Sequence, residues 1–335
     1  MLPKRASLER RRPALHQQTG LTLVELMITL TIGMIVVAAM SALFIGSTTT
    51  RREVASTADT IENGRYAIDL LTRELSLAGF SGTLRTPSGA STVNIPCSNN
   101  LADWRGSFGV FAFGWNQDEP DPACLTDRKP GTDAIFIQRV STCSLGDLNC
   151  DAESTANAYL QVPECTCVNV ASCSADPKAE VIDAGNSGNF TRRTKMCNAA
   201  NRAPIRRIVR RIYFVNTNDV LMYREISLSG TRDQPLAENI EQLQFSYAVD
   251  ANGNGTLDSA EGFQQKPGAL WANVLGVRVW VLTRSATQDD KPSATPSFQL
   301  DDLPASAVDV SKQYRRRVST TYIPFIEPTW RSISP

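Results

Sequence analysis

From Leu21 to Ile45 the chain reads LTLVELMITLTIGMIVVAAMSALFI, an almost unbroken apolar run. At about 1.5 Å per residue this makes a helix of roughly 37 Å, enough to cross a bilayer. Beyond Ile45 the apolar positions thin out to a helical spacing. Val54, Ala58, Ile61, Ile68, Leu71, Leu75 and Ala78 recur at three- and four-residue steps, with a gap at Arg65. No proline falls between Leu21 and Arg85, and Gly79 offers a C-terminal stop. The pattern predicts one helix over residues 21–80, with about 21–45 in the membrane and the second half facing a core.

After the helix the periodicity changes. Residues 81–200 are rich in Gly, Ser, Asn and Cys, with short strand candidates such as Ala134–Val140. From 205 onward strands dominate. Ile205–Val215 and Val220–Ile226 flank Asn216-Thr217-Asn218-Asp219, a hairpin signal. Leu243, Phe245, Tyr247 and Val249 alternate with polar residues, which predicts a half-buried strand, and Val274–Leu282 predicts another. The fold class is therefore α+β: a long N-terminal helix with a C-terminal antiparallel β-sheet head laid against its second half.

The chain has no net charge, which gives no reason to expect a nucleic-acid partner. Its first twenty residues nevertheless carry Lys4, Arg5, Arg10, Arg11 and Arg12 against Glu9 alone. By the positive-inside rule this leader stays cytoplasmic and the head faces the periplasm. The one histidine, His16, lies in the leader. A head without imidazole excludes Ser-His-Asp and Cys-His catalysis, so no enzymatic activity is expected. Arg206, Arg207, Arg210 and Arg211 are read as a solvated strand face with paired carboxylates, and most of the five tryptophans as core.

Eight cysteines, Cys97, Cys124, Cys143, Cys150, Cys165, Cys167, Cys173 and Cys197, cluster in the first half of the head. An even count outside the cytoplasm reads as disulfides, although eight cysteines allow 105 pairings. Cys165 and Cys167 are too close for an easy mutual bridge and are each expected to pair elsewhere. A zinc site lacks its paired CxxC spacing.

Residues 250–261, DANGNGTLDSAE, match the twelve-residue EF-hand loop. Asp250, Asn252, Asn254, Asp258 and Glu261 place side-chain oxygens at steps one, three, five, nine and twelve. Gly255 sits at the sharp turn, and Thr256 supplies a carbonyl at step seven. The incoming segment is a strand, so the expectation is a stand-alone Ca²⁺ loop that tightens the head; a polar Asn-Gly turn is the alternative.

Glu25 remains. A carboxylate in hydrocarbon costs a few kcal/mol and normally has a partner. Its setting, Gly20-Leu21-Thr22-Leu23-Val24-Glu25-Leu26, resembles the type III signal of prepilins, in which prepilin peptidase cuts after the glycine and methylates the new terminal amine. The resemblance implies cleavage at Gly20, N-methylation of Leu21, and a role for Glu25 in neutralising the terminal amine of a neighbouring subunit during filament assembly. A secretory signal cut near Ala39-Met40-Ser41 is the rival reading; it leaves Glu25 unexplained.

Three further segments resemble the PilW family of type IV pilus minor pilins: Glu62 through Phe80, Leu236 through Val249, and Leu275 through Ser285. That resemblance implies a leader over 1–20, a helical spine over 21–80 and a disulfide-bonded periplasmic head over 81–335. It implies an inner-membrane precursor that joins other minor pilins and the major pilin, primes pilus assembly and sits at or near the tip. A type II secretion pseudopilin and a tip adhesin are the alternatives.

Overall fold

The computed structural model describes residues 20, 22–84, 96–165, 180–197, 200–259, 261–288, 298, 300 and 313–326. Helix α1 runs from Leu23 to Ser76. The chain forms two compact units, Met1–Ala55 and Ser56–Pro335, so the second half of α1 belongs to the same unit as the sheets. Burial of α1 thus begins well before the helix ends.

The buried stripe of α1 consists of Thr60, Gly64, Ala67, Leu71 and Leu75. Leu71, Leu75 and Ala78 are as read from the sequence. Val54 and Ala58 are not: both are exposed, and the stripe is entered through Thr60 and Gly64. Gly64 explains the gap at Arg65. A Cβ there would stand 3.0 Å from Ser319 Oγ, so the helix approaches the sheet where it has no side chain. Thr283 Oγ1 donates to the Thr60 carbonyl at 3.2 Å in the same contact.

The head holds two antiparallel sheets rather than one. The first has seven strands: β1 (Ala112–Trp115), β2 (Ala134–Val140), β3 (Ala158–Gln161), β4 (Val181–Ala184), β5 (Ile205–Val215), β6 (Leu221–Ser227) and β7 (Gly230–Ala237). Their order is β1-β2-β5-β3-β4, with β6 also on β5 and β7 beyond β6. The second sheet, in order β11-β10-β8-β9, contains β8 (Ile240–Val249), β9 (Phe263–Gln264), β10 (Val274–Arg284) and β11 (Arg316–Pro324). The hairpin expected around Asn216 is β5–β6, with Val215 opposite Leu221.

One core lies among α1 and both sheets. Ala67, Leu71 and Leu75 meet Ile135, Ile137, Tyr213, Val215, Leu243, Phe245, Val277, Val279 and Ile323. Each fully buried Leu or Phe side chain contributes about 1.5–3 kcal/mol. A second core lies on the other face of the first sheet. There Phe136, Ile212 and Phe214 meet Trp104 of the short helix α2 (Leu101–Ser107) and Phe108, which follows it. The hydroxyl end of Tyr247 abuts Gly114, where a Cβ would fall 1.8 Å from the hydroxyl, so this contact requires glycine.

Strand β8 departs from its sequence reading. It is buried at every position, polar ones included. The segment before β2 covers it: Asp133 N–H donates to the Leu243 carbonyl, the Asp133 carboxylate accepts from Phe245 N–H at 2.8 Å, and Gln244 donates to the Gly131 carbonyl. Asp133 thereby closes an edge of β8 that the second sheet leaves open.

Three disulfides join Cys97 to Cys124, Cys143 to Cys150 and Cys165 to Cys197. Cys165 thus pairs elsewhere than with Cys167; Cys167 and Cys173 lie outside the described residues. By chain entropy, closing the loop of 27 residues between Cys97 and Cys124 contributes about 3.5 kcal/mol. Thiol alkylation of the denatured, non-reduced chain from the cell envelope is expected to label none of these six cysteines. Labelling of both members of any pair would show that bridge to be absent from the cellular protein.

Candidate functional site

The start of α1 is built by its own sequence. Thr22 stands just before the helix, its Oγ1 accepts the Glu25 N–H at 3.3 Å, and its carbonyl accepts from Leu26. Threonine followed three residues later by glutamate is the spacing of a capping box, and a carboxylate suits the positive end of the helix dipole. This local role was legible in Thr22-x-x-Glu25 and is additional to the one expected from the motif. Glu25 is exposed, and among the described residues no cation meets its carboxylate. Gly20 is exposed as well; Leu21 lies outside the described residues.

From Leu23 to Ile45 the large apolar side chains are all exposed, Leu23 and Leu43 each at 75%. The polar side chains among them bond within the helix: Thr29 donates to the Glu25 and Leu26 carbonyls, and Thr31 to that of Ile28. A segment that satisfies its own polar groups and presents only hydrocarbon outward is suited to lipid.

In the other unit, α1 meets the first sheet through Glu74. Its Oε2 accepts from Arg211 at 3.0 Å, Arg139 at 3.2 Å and the Tyr213 hydroxyl at 2.9 Å. Arg211 continues to Glu225 Oε2 at 2.8 Å, and Arg207 reaches Glu225 Oε1 at 2.6 Å. Burial alone would push the Glu74 carboxyl up; Arg211 and Arg139, with the Tyr213 hydrogen bond, hold it below the usual range instead. Glu225 is held low in the same way by Arg211 and Arg207. A second network joins the sheets: Asp219 in the β5–β6 turn binds Lys129 at 2.6 Å and Arg284 of β10 at 2.9 Å. Glu241 takes Arg316 through both oxygens, at 2.5 and 2.9 Å.

Arg207 and Arg211 of β5 are therefore paired with carboxylates, as expected, but the arginines of this strand are not a solvated face. Arg206 donates to the Ser141 and Thr142 carbonyls. Arg210 points the other way and is fully buried between the rings of Trp104 at 4.7 Å and Phe136 at 5.1 Å. Among the described residues none of its three guanidinium nitrogens has a hydrogen-bond partner, and burial pulls its pKa down to about 9. Its stabilisation comes from the two ring faces. Trp104, Trp115 and Trp280 are core side chains and Trp271 is half-buried; Trp330 lies outside the described residues.

The segment 250–261 connects β8 to β9, whose first pair is Tyr247 with Gln264. It is one of the most polar turns of the head. Ala260 within it lies outside the described residues.

These features meet the comparisons at both ends of the chain. Residues 15–41 match the model of the prokaryotic N-terminal methylation motif, and residues 212–326 match that of the type IV pilus-assembly protein W family, PilW. The second match runs from within β5 to β11 and includes Asp219 of the β5–β6 turn and the strands that carry Glu225, Glu241 and Arg284. Among solved structures, a type IV-like pilin from Thermus thermophilus is similar at 12% identity and a TM-score of 0.35, over 81% of this chain and 97% of that one. No curated protein matches the sequence. The chain thus carries a prepilin-type methylation motif at one end and a PilW domain at the other.

Proposed function

We propose that this chain is a minor pilin that primes assembly of a type IV pilus and is incorporated at or near its tip. Prepilin peptidase cuts after Gly20 and methylates Leu21. The segment 21–45 holds the precursor in the inner membrane with the head in the periplasm. Assembly then moves this segment from lipid into the filament core, among other minor pilins and the major pilin. The supporting observation is the first half of α1: hydrocarbon on every side, with Glu25 as its only charge, in the first turn. Such a surface requires either lipid or the same segment of a neighbouring subunit, and a single carboxylate in it requires a cation. The methylated amine at Leu21 of a neighbour supplies that cation, and subunits stacked out of register leave both charges unpaired.

Intact mass of the membrane-extracted chain tests the processing. The expected species lacks residues 1–20 and carries one added methyl group. A mature chain that begins near Ala42 would show a secretory signal and overturn the reading.

A further inference from the structure

We propose that Asp250–Glu261 is a calcium site that clamps the β8–β9 connection in the head. The inference stands apart from the pilus reading, because it concerns only the stability of the head.

Charge balance motivates it. Five carboxylates elsewhere in the head, Glu74, Glu225, Asp219, Asp233 and Glu241, each bind arginine. Asp250, Asp258 and Glu261 fall within twelve residues, and among the described residues no lysine or arginine pairs with any of them. Asp250 is 4% exposed, so its charge is largely removed from water. It is also fixed in place: its N–H donates to the Asn273 carbonyl, and its carbonyl accepts from Asn273 Nδ2. A buried carboxylate without a counter-charge carries a cost that a bound cation removes, and two further carboxylates of the same loop are available to share that cation.

The donors fit a hard cation. Oxygen side chains occupy steps one, three, five, nine and twelve, the set that Ca²⁺ takes in a twelve-residue loop. The step-seven ligand in such loops is a backbone carbonyl, and among the described residues no donor meets the carbonyl of Thr256. Gly255, at step six, has φ +81°, which favours glycine.

The carboxylates do not converge as they stand. Among the described residues no three Asp, Glu, Cys or His side chains form a group close enough to hold a metal. The carboxylates take up N–H donors instead. Asp250 accepts from the backbone of Gly253, Asn254 and Gly255 at 2.6–3.1 Å. Glu261 accepts from Ala251, Asn252 and Asp258. Asp258 Oδ2 accepts from the amide nitrogens of Asn252 and Asn254, at 2.9 and 2.8 Å. Two amide groups thus point their positive ends at the step-nine carboxylate, where the cation would supply that charge. Binding replaces these two contacts, and a turn of each amide about its last torsion brings oxygen rather than nitrogen to the ion. With asparagine at steps three and five, only three ligands are charged, which sets a dissociation constant on the order of 10⁻⁵–10⁻³ M, in the extracellular range.

The experiment uses the full chain in detergent micelles. Isothermal titration with CaCl₂ is expected to show one site in that range, and MgCl₂ a much weaker response. At a hundredfold excess over the dissociation constant, the thermal midpoint should rise by about 5–10 °C relative to chelator. Asp258→Asn with Glu261→Gln should abolish both binding and shift. Asp69→Asn, on an exposed turn of α1, should retain both. If the double variant does not fold, Glu261→Gln alone, titrated below its own midpoint, should bind at least tenfold more weakly. No heat up to 10 mM calcium (roughly tenfold above the weakest expected constant) and an unchanged midpoint in the wild type would overturn the proposal. Binding that survives in the variants, or a magnesium response equal to that of calcium, would overturn it as well.

Discussion

Glu25→Val is expected to leave cleavage after Gly20 nearly normal while lowering recovery of the chain in sheared filaments about 10²–10³-fold. Removing one partner of a buried charge pair costs about 3–5 kcal/mol, and each 1.4 kcal/mol is a factor of ten. The valine variant alone is ambiguous, because Glu25 also stands at the glutamate position of a Thr22 capping box. Glu25→Gln separates the two roles. Glutamine serves in a capping box as glutamate does, but it cannot neutralise a neighbour's amine. If pairing is the function, the glutamine variant is as defective as the valine variant. Filament incorporation restored by glutamine would assign Glu25 to helix capping and remove it from subunit registration.

Glu74→Gln is expected to destabilise the head by about 2–4 kcal/mol, a drop of roughly 4–12 °C in the thermal midpoint. The estimate sits below that for a fully buried pair because the Glu74 side chain retains 27% exposure. The substitution leaves Arg139 and Arg211 facing a neutral amide on α1, so the loss falls on the contact between the helix and the first sheet. The effect depends on pH with a definite sign. The Glu74 and Glu225 carboxyls are held below their usual range in the fold. Their contribution is complete above the unfolded value, about 4.3, and is lost as pH falls through the lowered folded values. Urea midpoints of wild type and Glu74→Gln should therefore differ most at neutral pH and converge below about pH 4. A difference that is constant from pH 7 to pH 3 would show that packing rather than charge is lost.

Much of this architecture could be read from periodicity. The apolar run, the buried leucines of α1 and the strands β2, β5, β6 and β10 follow spacings that backbone geometry enforces. The misread positions share a cause: their cover comes from elsewhere in the chain. Val54 and Ala58 continue a plausible apolar stripe, yet the helix enters the head through Thr60 and Gly64, against Thr283 and Ser319. A pattern search favours large apolar residues and passes over a glycine buried because it is small. The even positions of β8 look like a wet face, but Gly131 and Asp133 lie over that strand from more than a hundred residues upstream. Arg210 and Arg211 alternate as neighbours on a strand must. Nothing local told that one would meet carboxylates and the other two aromatic rings. The contact of the Thr22 hydroxyl with the Glu25 N–H is wholly local, between residues three apart.

The three disulfides have a consequence for the order in which the head is made. Cys97–Cys124, Cys143–Cys150 and Cys165–Cys197 occupy successive intervals that neither cross nor enclose one another. A chain emerging from its anchored end can close each ring with cysteines that have already appeared, and no later cysteine is needed to complete an earlier ring. All eight cysteines precede residue 198, while the PilW-matched region begins at residue 212. Every cysteine therefore precedes the first strand of the second sheet, β8, in the order of the chain. The order of the chain thus allows thiol pairing to precede the strand pairing of β8, β10 and β11.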